Sequence, residues 1–235
     1  NSPLELMGPM MISAAKNAKV DIAVHLDHGL KIETVQKALE MGFTSVMFDG
    51  SVLPFAENAA KTKEITDYAH ARGITVEAEL GHVGNGSVGS ISETGTDTDP
   101  GESLTVPEEV AKFVEITDVD ALAVAIGTAH GVYQKTPTLR IDRLDEITAV
   151  CERPLVLHGG SGTPDDQMQN AIHHGITKIN IYSDVVGAMN KGLKDKLNTI
   201  ENPATWPFLV FADARSMMKE VARNKLRTFG SAGRL

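Results

Sequence analysis

The sequence holds a single cysteine, Cys151, so no disulfide can form within the chain, and a reducing cytoplasm is the expected compartment. It has no apolar run of about 18 residues, the length a membrane-spanning helix needs, and no membrane crossing is expected. An excess of basic residues is missing too: 22 Lys and Arg stand against 31 Asp and Glu, a formal net charge of −9. That balance argues against nucleic acid or an anionic membrane as the main partner. It does not exclude an anionic small substrate, which a few placed amides and a metal can hold. The chain opens Asn-Ser-Pro, with neither an initiator methionine nor a signal peptide, and an N-terminally incomplete chain is expected. What the sequence does have is core material: 42% hydrophobic residues over 235 positions suit one large domain spanning 1–235.

Six short apolar or β-branched runs recur along it: Val20–His25, Ser45–Phe48, Thr75–Leu80, Ala121–Ile126, Pro154–Leu157 and Lys178–Ile181. Their near-continuous apolar character suits strands buried on both faces of a parallel sheet. Between them Ile32–Met41, Glu57–Arg72, Pro107–Thr117 and Asp165–His174 carry apolar residues at helical period. Pro107 followed by two glutamates predicts a helix start, and Gly42 and Gly175 predict helix ends. Strict β-then-α alternation points to a parallel sheet or barrel; an open doubly wound sheet satisfies the same pattern. Residues 81–106 break the rhythm, being rich in Gly, Ser, Thr and Asp, and are expected to form a mobile lid over the site.

Polar residues end nearly every run: His25, Asp27 and His28, then Asp49, Glu77 and Glu79, His130, His158 and Asn180. One such residue is usually structural, but six strands offering polar groups at the same end suggest a built site. Three imidazoles, His28, His130 and His158, have the donor set of a catalytic zinc centre with one open position. Asp49 and Glu79 can serve as partners to those ligands or as a second cation site. His25 is expected to fill the barrel interior, and His70, His82, His173 and His174 to be solvated. A second constellation suits phosphate: Gly159-Gly160-Ser161-Gly162 after one run and Asn180 to Ser183 after the last, each leading toward a helix N-terminus.

The segments HLDHG, MFDGS, PFAEN, VEAELG, LAVAIGTAHG, PLVLHGGSG, KINI and NKLRTFGSAG, in that order, closely resemble class II ketose-bisphosphate aldolases from about residue 20 to the C-terminus. The resemblance implies a (β/α)8 TIM barrel whose first two strands are absent from this sequence, the six runs being strands three to eight. It implies a metal-dependent aldolase that reversibly cleaves a phosphorylated ketose to dihydroxyacetone phosphate and an aldehyde. His28, His130 and His158 would hold one catalytic Zn2+. Glu79 and Asp49 would mark auxiliary metal positions, for a second or monovalent cation. The catalytic set is Asp27, which exchanges a proton at the cleaved bond, with Asn180 and Glu93. Gly131, Gly159, Gly160, Ser161, Asn180, Ile181, Tyr182 and Ser183 would hold the phosphorylated substrate. A homodimer or homotetramer is implied.

This chain departs from the family pattern twice. Gly86 and Ser87 stand where a lid glutamate pair is expected, leaving Glu93 as the next acid. Ala212 stands where an arginine binds the distal phosphate, with Arg215 about one helical turn away. A ketose 1-phosphate, or a non-phosphorylated aldehyde partner, is therefore expected ahead of fructose or tagatose 1,6-bisphosphate. Three rival readings remain. A Schiff-base aldolase has only Lys178 or Lys135 to use, a zinc hydrolase has no use for the phosphate turns, and a non-catalytic phosphosugar-binding protein would fit the missing lid acids.

Overall fold

A computed structural model of the protein describes residues 3–84, 104–133 and 135–234. Within them six strands, β1 (His25–Gly29), β2 (Ser45–Phe48), β3 (Thr75–Leu80), β4 (Ala121–Val124), β5 (Leu155–Leu157) and β6 (Ile176–Ile179), pair in sequence order, every pair parallel. Eight helices accompany them: α1 (Leu4–Lys16), α2 (Ile32–Met41), α3 (Phe55–His70), α4 (Pro107–Thr117), α5 (Ile141–Thr148), α6 (Asp165–His173), α7 (Ser183–Leu197) and α8 (Pro207–Thr228). Among the described residues no helix is long and apolar enough to cross a membrane.

Alternation along the strands sorts the residues onto two faces. Val46 and Phe48, then Val76, Ala78 and Leu80, then Leu122 and Val124, then Leu155 and Leu157 join the helix residues Val35, Ile65, Phe113, Ile147 and Met168 in one buried cluster. The intervening Met47, Ala123 and Val156 form a small separate cluster on the other face. That inner face also carries Glu77, Glu79 and His158. The sheet is strongly curled, because Asn180 just beyond β6 donates to Asp27 of β1 at 3.0 Å although these two strands are not paired. In a flat sheet, five inter-strand steps would set them roughly 24 Å apart. A curled, helix-backed parallel sheet replaces the doubly wound alternative with a half-barrel of TIM-barrel type.

Two of the predicted helices, Ile32–Met41 and Pro107–Thr117, match, and Gly42 takes the left-handed conformation that ends α2, at φ 95°. The first strand begins later than its apolar run predicts. Its ladder opens with His25 opposite Ser45, so Val20 and Ile22 have no β2 residue beside them and stay about half exposed. Both ends of the segment read as a lid belong to the body of the protein. Val83 and Thr105 are buried, and Thr105 bridges Leu80 of β3 to Ala125 after β4. Residues 85–103 between them, with Gly86, Ser87 and Glu93, lie outside the described residues.

The PFAEN segment opens α3 and has a packing role. Buried Asn58 donates to the Glu79 carbonyl at 2.9 Å and accepts from Thr62, which fixes the top of β3. A Cβ on Gly50 would lie 2.2 Å from Asn58 Oδ1. Gly50→Ala should therefore lower stability by about 1–3 kcal/mol, read as a lower denaturation midpoint at unchanged slope. An unchanged midpoint would show that this contact relaxes freely.

Candidate active site

Regular alternation cannot by itself aim the polar residues of the edge strands inward; a bulge in each does. On β1 two residues, Asp27 and His28, stand opposite the single Met47, between the pairs Leu26–Val46 and Gly29–Phe48. His28 takes φ 47°, a left-handed conformation that costs a non-glycine residue of the order of 1–3 kcal/mol. Gly29 follows because a Cβ there would lie 2.6 Å from both the Met47 carbonyl oxygen and Val35. On β6 the register passes from Ile176–Leu155 to Lys178–Val156, so Thr177 is the extra residue. Its hydroxyl donates to the Leu155 carbonyl at 3.1 Å. Ile176 thus faces the helices, while Lys178 and Asn180 face inward.

The inner face brings His28, His130 and His158 together, with candidate ligand atoms within 4.8 Å of one another. His28 Nδ1 lies 2.7 Å from Asp49 Oδ2, and His158 Nε2 lies 2.8 Å from Glu77 Oε1. Ionised carboxylates only accept, so these two nitrogens carry the ring protons. The opposite nitrogens, His28 Nε2 and His158 Nδ1, then face each other 2.9 Å apart. In neutral rings both present lone pairs, an arrangement that repels unless a positive charge stands between them.

Electrostatics supplies such a charge. Burial alone would lower the His28 pKa, but the Asp49 hydrogen bond and the charges of Asp27, Glu79 and Asp49 raise it to about 9. A proton thus occupies the place a cation would take. Burial, with the charges of His28 and His158, holds His130 down at about 3 and keeps its lone pair free of protons. Burial also opposes ionisation of Asp49 and Glu77, yet hydrogen bonds from His28 and His158, with Lys178 beside Glu77, bring each to about 2. These are the features of a divalent-cation site: two oriented imidazoles, a neutral third, and carboxylates behind the rings.

Asp49 is committed on both oxygens, since Oδ1 accepts from the Ser51 amide and hydroxyl, so it orients His28. Glu79 differs. Oε1 accepts from the Val83 amide, while the buried Oε2 has no hydrogen-bond partner among the described residues. Burial and the nearby Asp49 raise its pKa to about 7. His82, expected in solvent, is instead 8% exposed, its Nδ1 2.9 Å from Ser51 Oγ. The chain leaving β3 folds back over Asp49, which periodicity does not reveal. His25 is interior as expected, with Nδ1 2.9 Å from Ser45 Oγ.

Asp27 is exposed at the rim, and both its oxygens accept from Asn180 Nδ2, at 3.0 and 3.1 Å. Lys178 opens the last of the six apolar runs. Its side chain reaches up the inner face, and Nζ lies 2.8 Å from both Glu77 Oε2 and Asn180 Oδ1. Sequence reasoning weighed Lys178 only as a Schiff-base nucleophile and gave Glu77 no role. The inward parity of Glu77 with Glu79 was a readable signal for the acid.

The glycine turns lie where the runs placed them. Ser161 Oγ accepts from the Tyr182 and Asp184 amides and so caps α7 from outside the helix. The Gly160 amide donates to the Asn180 carbonyl, so these expected phosphate donors are committed within the protein. Gly159, at φ 67°, has the Ala129 carbonyl oxygen 2.5 Å from where a Cβ would be. Tyr133 was also missed: its hydroxyl accepts from the Ala129 amide and donates to the Gly159 carbonyl, joining the loops that carry His130 and His158. Gly131 follows His130 in that loop, at φ 98°.

The sequence model of the family described as fructose-bisphosphate aldolase class-II matches residues 1–234. A fructose-bisphosphate aldolase of Staphylococcus aureus is 39% identical over 218 residues, 93% of this chain and 73% of that protein. The crystal structure of the YdjI aldolase of Escherichia coli K12 aligns with TM-score 0.84 at 36% identity, covering 99% of this chain and 78% of that one. The fructose-bisphosphate aldolase of Campylobacter jejuni, 21% identical with TM-score 0.72 over 96% of this chain and 75% of that one, shares the fold.

A cation binding between the imidazoles must displace the His28 proton, which is held up to about pH 9. Titration with Zn2+ at pH 8 should release about one proton, measured by calorimetry in buffers of different ionisation enthalpy. Affinity should rise about tenfold per pH unit and level off above pH 9. Affinity independent of pH between 7 and 9 would rule out displacement of this proton.

Proposed function

The chain belongs to the class-II fructose-bisphosphate aldolase family and cleaves the carbon–carbon bond of a phosphorylated ketose, and we propose that it does so around a zinc ion held by His28, His130 and His158. The products are dihydroxyacetone phosphate and an aldehyde. The observation that carries this reading is the pair of imidazole nitrogens aimed at each other across 2.9 Å, each ring fixed from behind by a carboxylate. When bound, zinc supplies a Lewis acid for the substrate's ketone oxygen.

The chain's own residues do the rest. Asp27, beside a ligand without being one, exchanges the proton on the hydroxyl at the cleaved bond. Asn180 holds the Asp27 carboxylate by donating to it. Asp49 and Glu77 hold the rings, and the unpartnered Glu79 oxygen offers a place for an auxiliary monovalent cation. Gly131, Gly159, Gly160, Ser161, Ile181, Tyr182 and Ser183 border the place of the donor-half phosphate next to the α7 N-terminus, where Ser161 still has its hydroxyl hydrogen to donate although the Gly160 and Tyr182 amides are committed within the protein. The eight-stranded closed barrel of the family is the architecture we assign to the whole domain, and a reducing cytoplasm is its compartment. A homodimer or homotetramer is favoured by Trp206, Phe208, Leu209 and Phe211, large apolar side chains 44–69% exposed around the start of α8.

Two measurements test this reading. Asp27→Ala should lower kcat by about 10²-fold or more while zinc content stays near one per chain; retained turnover would remove Asp27 from the mechanism. Because Ala212 replaces a cationic anchor, a ketose 1-phosphate should be used as well as its 1,6-bisphosphate counterpart. A bisphosphate preference of about 100-fold in kcat/KM, near 2.7 kcal/mol, would show that Arg215 or another cation supplies the anchor.

A further inference from the structure

We propose that Lys178 is a positioning residue of the cleavage reaction: it fixes the amide orientation of Asn180 and, through that amide, the Asp27 carboxylate. The inference rests on the reading of Asp27 as the proton-exchanging group.

Asn180 is a symmetric-looking side chain whose two ends do opposite things. Its oxygen accepts and its nitrogen donates, and rotation about the last torsion exchanges them. Only one orientation serves Asp27, the one with Nδ2 toward the carboxylate, at 3.0 and 3.1 Å. The flipped orientation would set an amide oxygen against two carboxylate oxygens. A lysine ammonium has donors and no acceptor, so Nζ at 2.8 Å from Oδ1 selects the productive orientation. Among the described residues, Asn180 is the one hydrogen-bond partner of the exposed Asp27, so an error in the amide passes undiminished to the carboxylate.

The lysine is itself anchored. Glu77, whose side chain is 3% exposed, takes Nζ at 2.8 Å on Oε2 and the His158 ring at 2.8 Å on Oε1. One buried carboxylate thus ties a candidate metal ligand to the lysine that sets Asn180, and the imidazoles and Asp27 share a single frame. Lys178 and Asn180, two residues apart, share a face, and the β6 bulge makes it the inner one, with Lys178 about 7 Å lower along the strand. Only a long side chain spans that rise. Its stem borders an open cleft at the lower end of the inner face, which Glu77, His25 and Ser45 also line.

The competing role is purely structural: Lys178 only neutralises buried Glu77. A double-mutant cycle on the zinc-loaded, full-length protein separates the two. Lys178→Met keeps the volume and removes the donor. Its kcat should fall about 10- to 100-fold with KM within about threefold and zinc content unchanged. In an Asn180→Ala background the same substitution should cost less than about twofold. Ethylammonium, small enough to enter the cleft, should restore part of kcat to Lys178→Ala, but not when Asn180 is also alanine. Should the Met and Ala variants fail to fold, Lys178→Arg keeps the charge beside Glu77. It should lose about fivefold in kcat, a loss that again vanishes with Asn180→Ala. Full kcat in the folded variants, or losses that multiply with Asn180→Ala, would overturn the inference. Asp27→Ala serves as the control: if it keeps its turnover, the reading of Asp27 has failed instead.

Discussion

Two imidazole lone pairs directed at each other across 2.9 Å can persist only with a positive charge between them, and most of the inner face serves to create that demand. Asp49 behind His28 and Glu77 behind His158 commit each ring's far nitrogen to donating, so in neutral rings the near nitrogens turn lone pairs toward each other. The protein meets the demand with a proton on His28 and keeps His130 neutral beside it. The centre is thus preorganised: rings, tautomers and charges stand in place for a divalent ion, and little has to move when one arrives.

Meeting that demand has a cost, because Asp49, Glu77 and Glu79 are all buried and charge is expensive away from water. Asp49 and Glu77 are each offset by hydrogen bonds and an opposite charge. For Glu79 the Val83 amide and the nearby imidazoles do not outweigh burial and the charge of Asp49, and its pKa rises to about 7. The outer face carries the opposite burden. It is apolar from β2 to β5 and packs against helix side chains that repeat every three or four residues. Stability therefore resides mainly on one side of the sheet, which leaves the other free to hold groups that do not favour folding.

The parallel sheet and the meeting of His28, His130 and His158 were legible in the sequence, and the reasons are local. Strands buried on both faces read as apolar runs, α2 showed its period and its stop, α4 its period and its start, and His28, His130 and His158 stood at or just past run ends. The order of eight motifs carried the family. Illegible were the features that need three dimensions. His82 is buried because the chain after β3 folds back over Asp49. Lys178 reaches the site because Thr177 is an extra residue in its strand. Tyr133 matters because its hydroxyl spans two loops distant in the chain. No periodicity announces a bulge, since the alternation on either side looks like a boundary error of one residue.

Those bulges do unequal service. Deleting one of Asp27 and His28 would return β1 to plain alternation, with its apolar face still packed on the helices, but a single side chain would then stand opposite Met47. Such a chain keeps either an imidazole or a carboxylate at that place, never both. Removing Thr177 from β6 would instead leave Lys178 opposite Val156 and Asn180 still turned inward. The loss of one residue thus separates shape from chemistry in the first strand and not in the last.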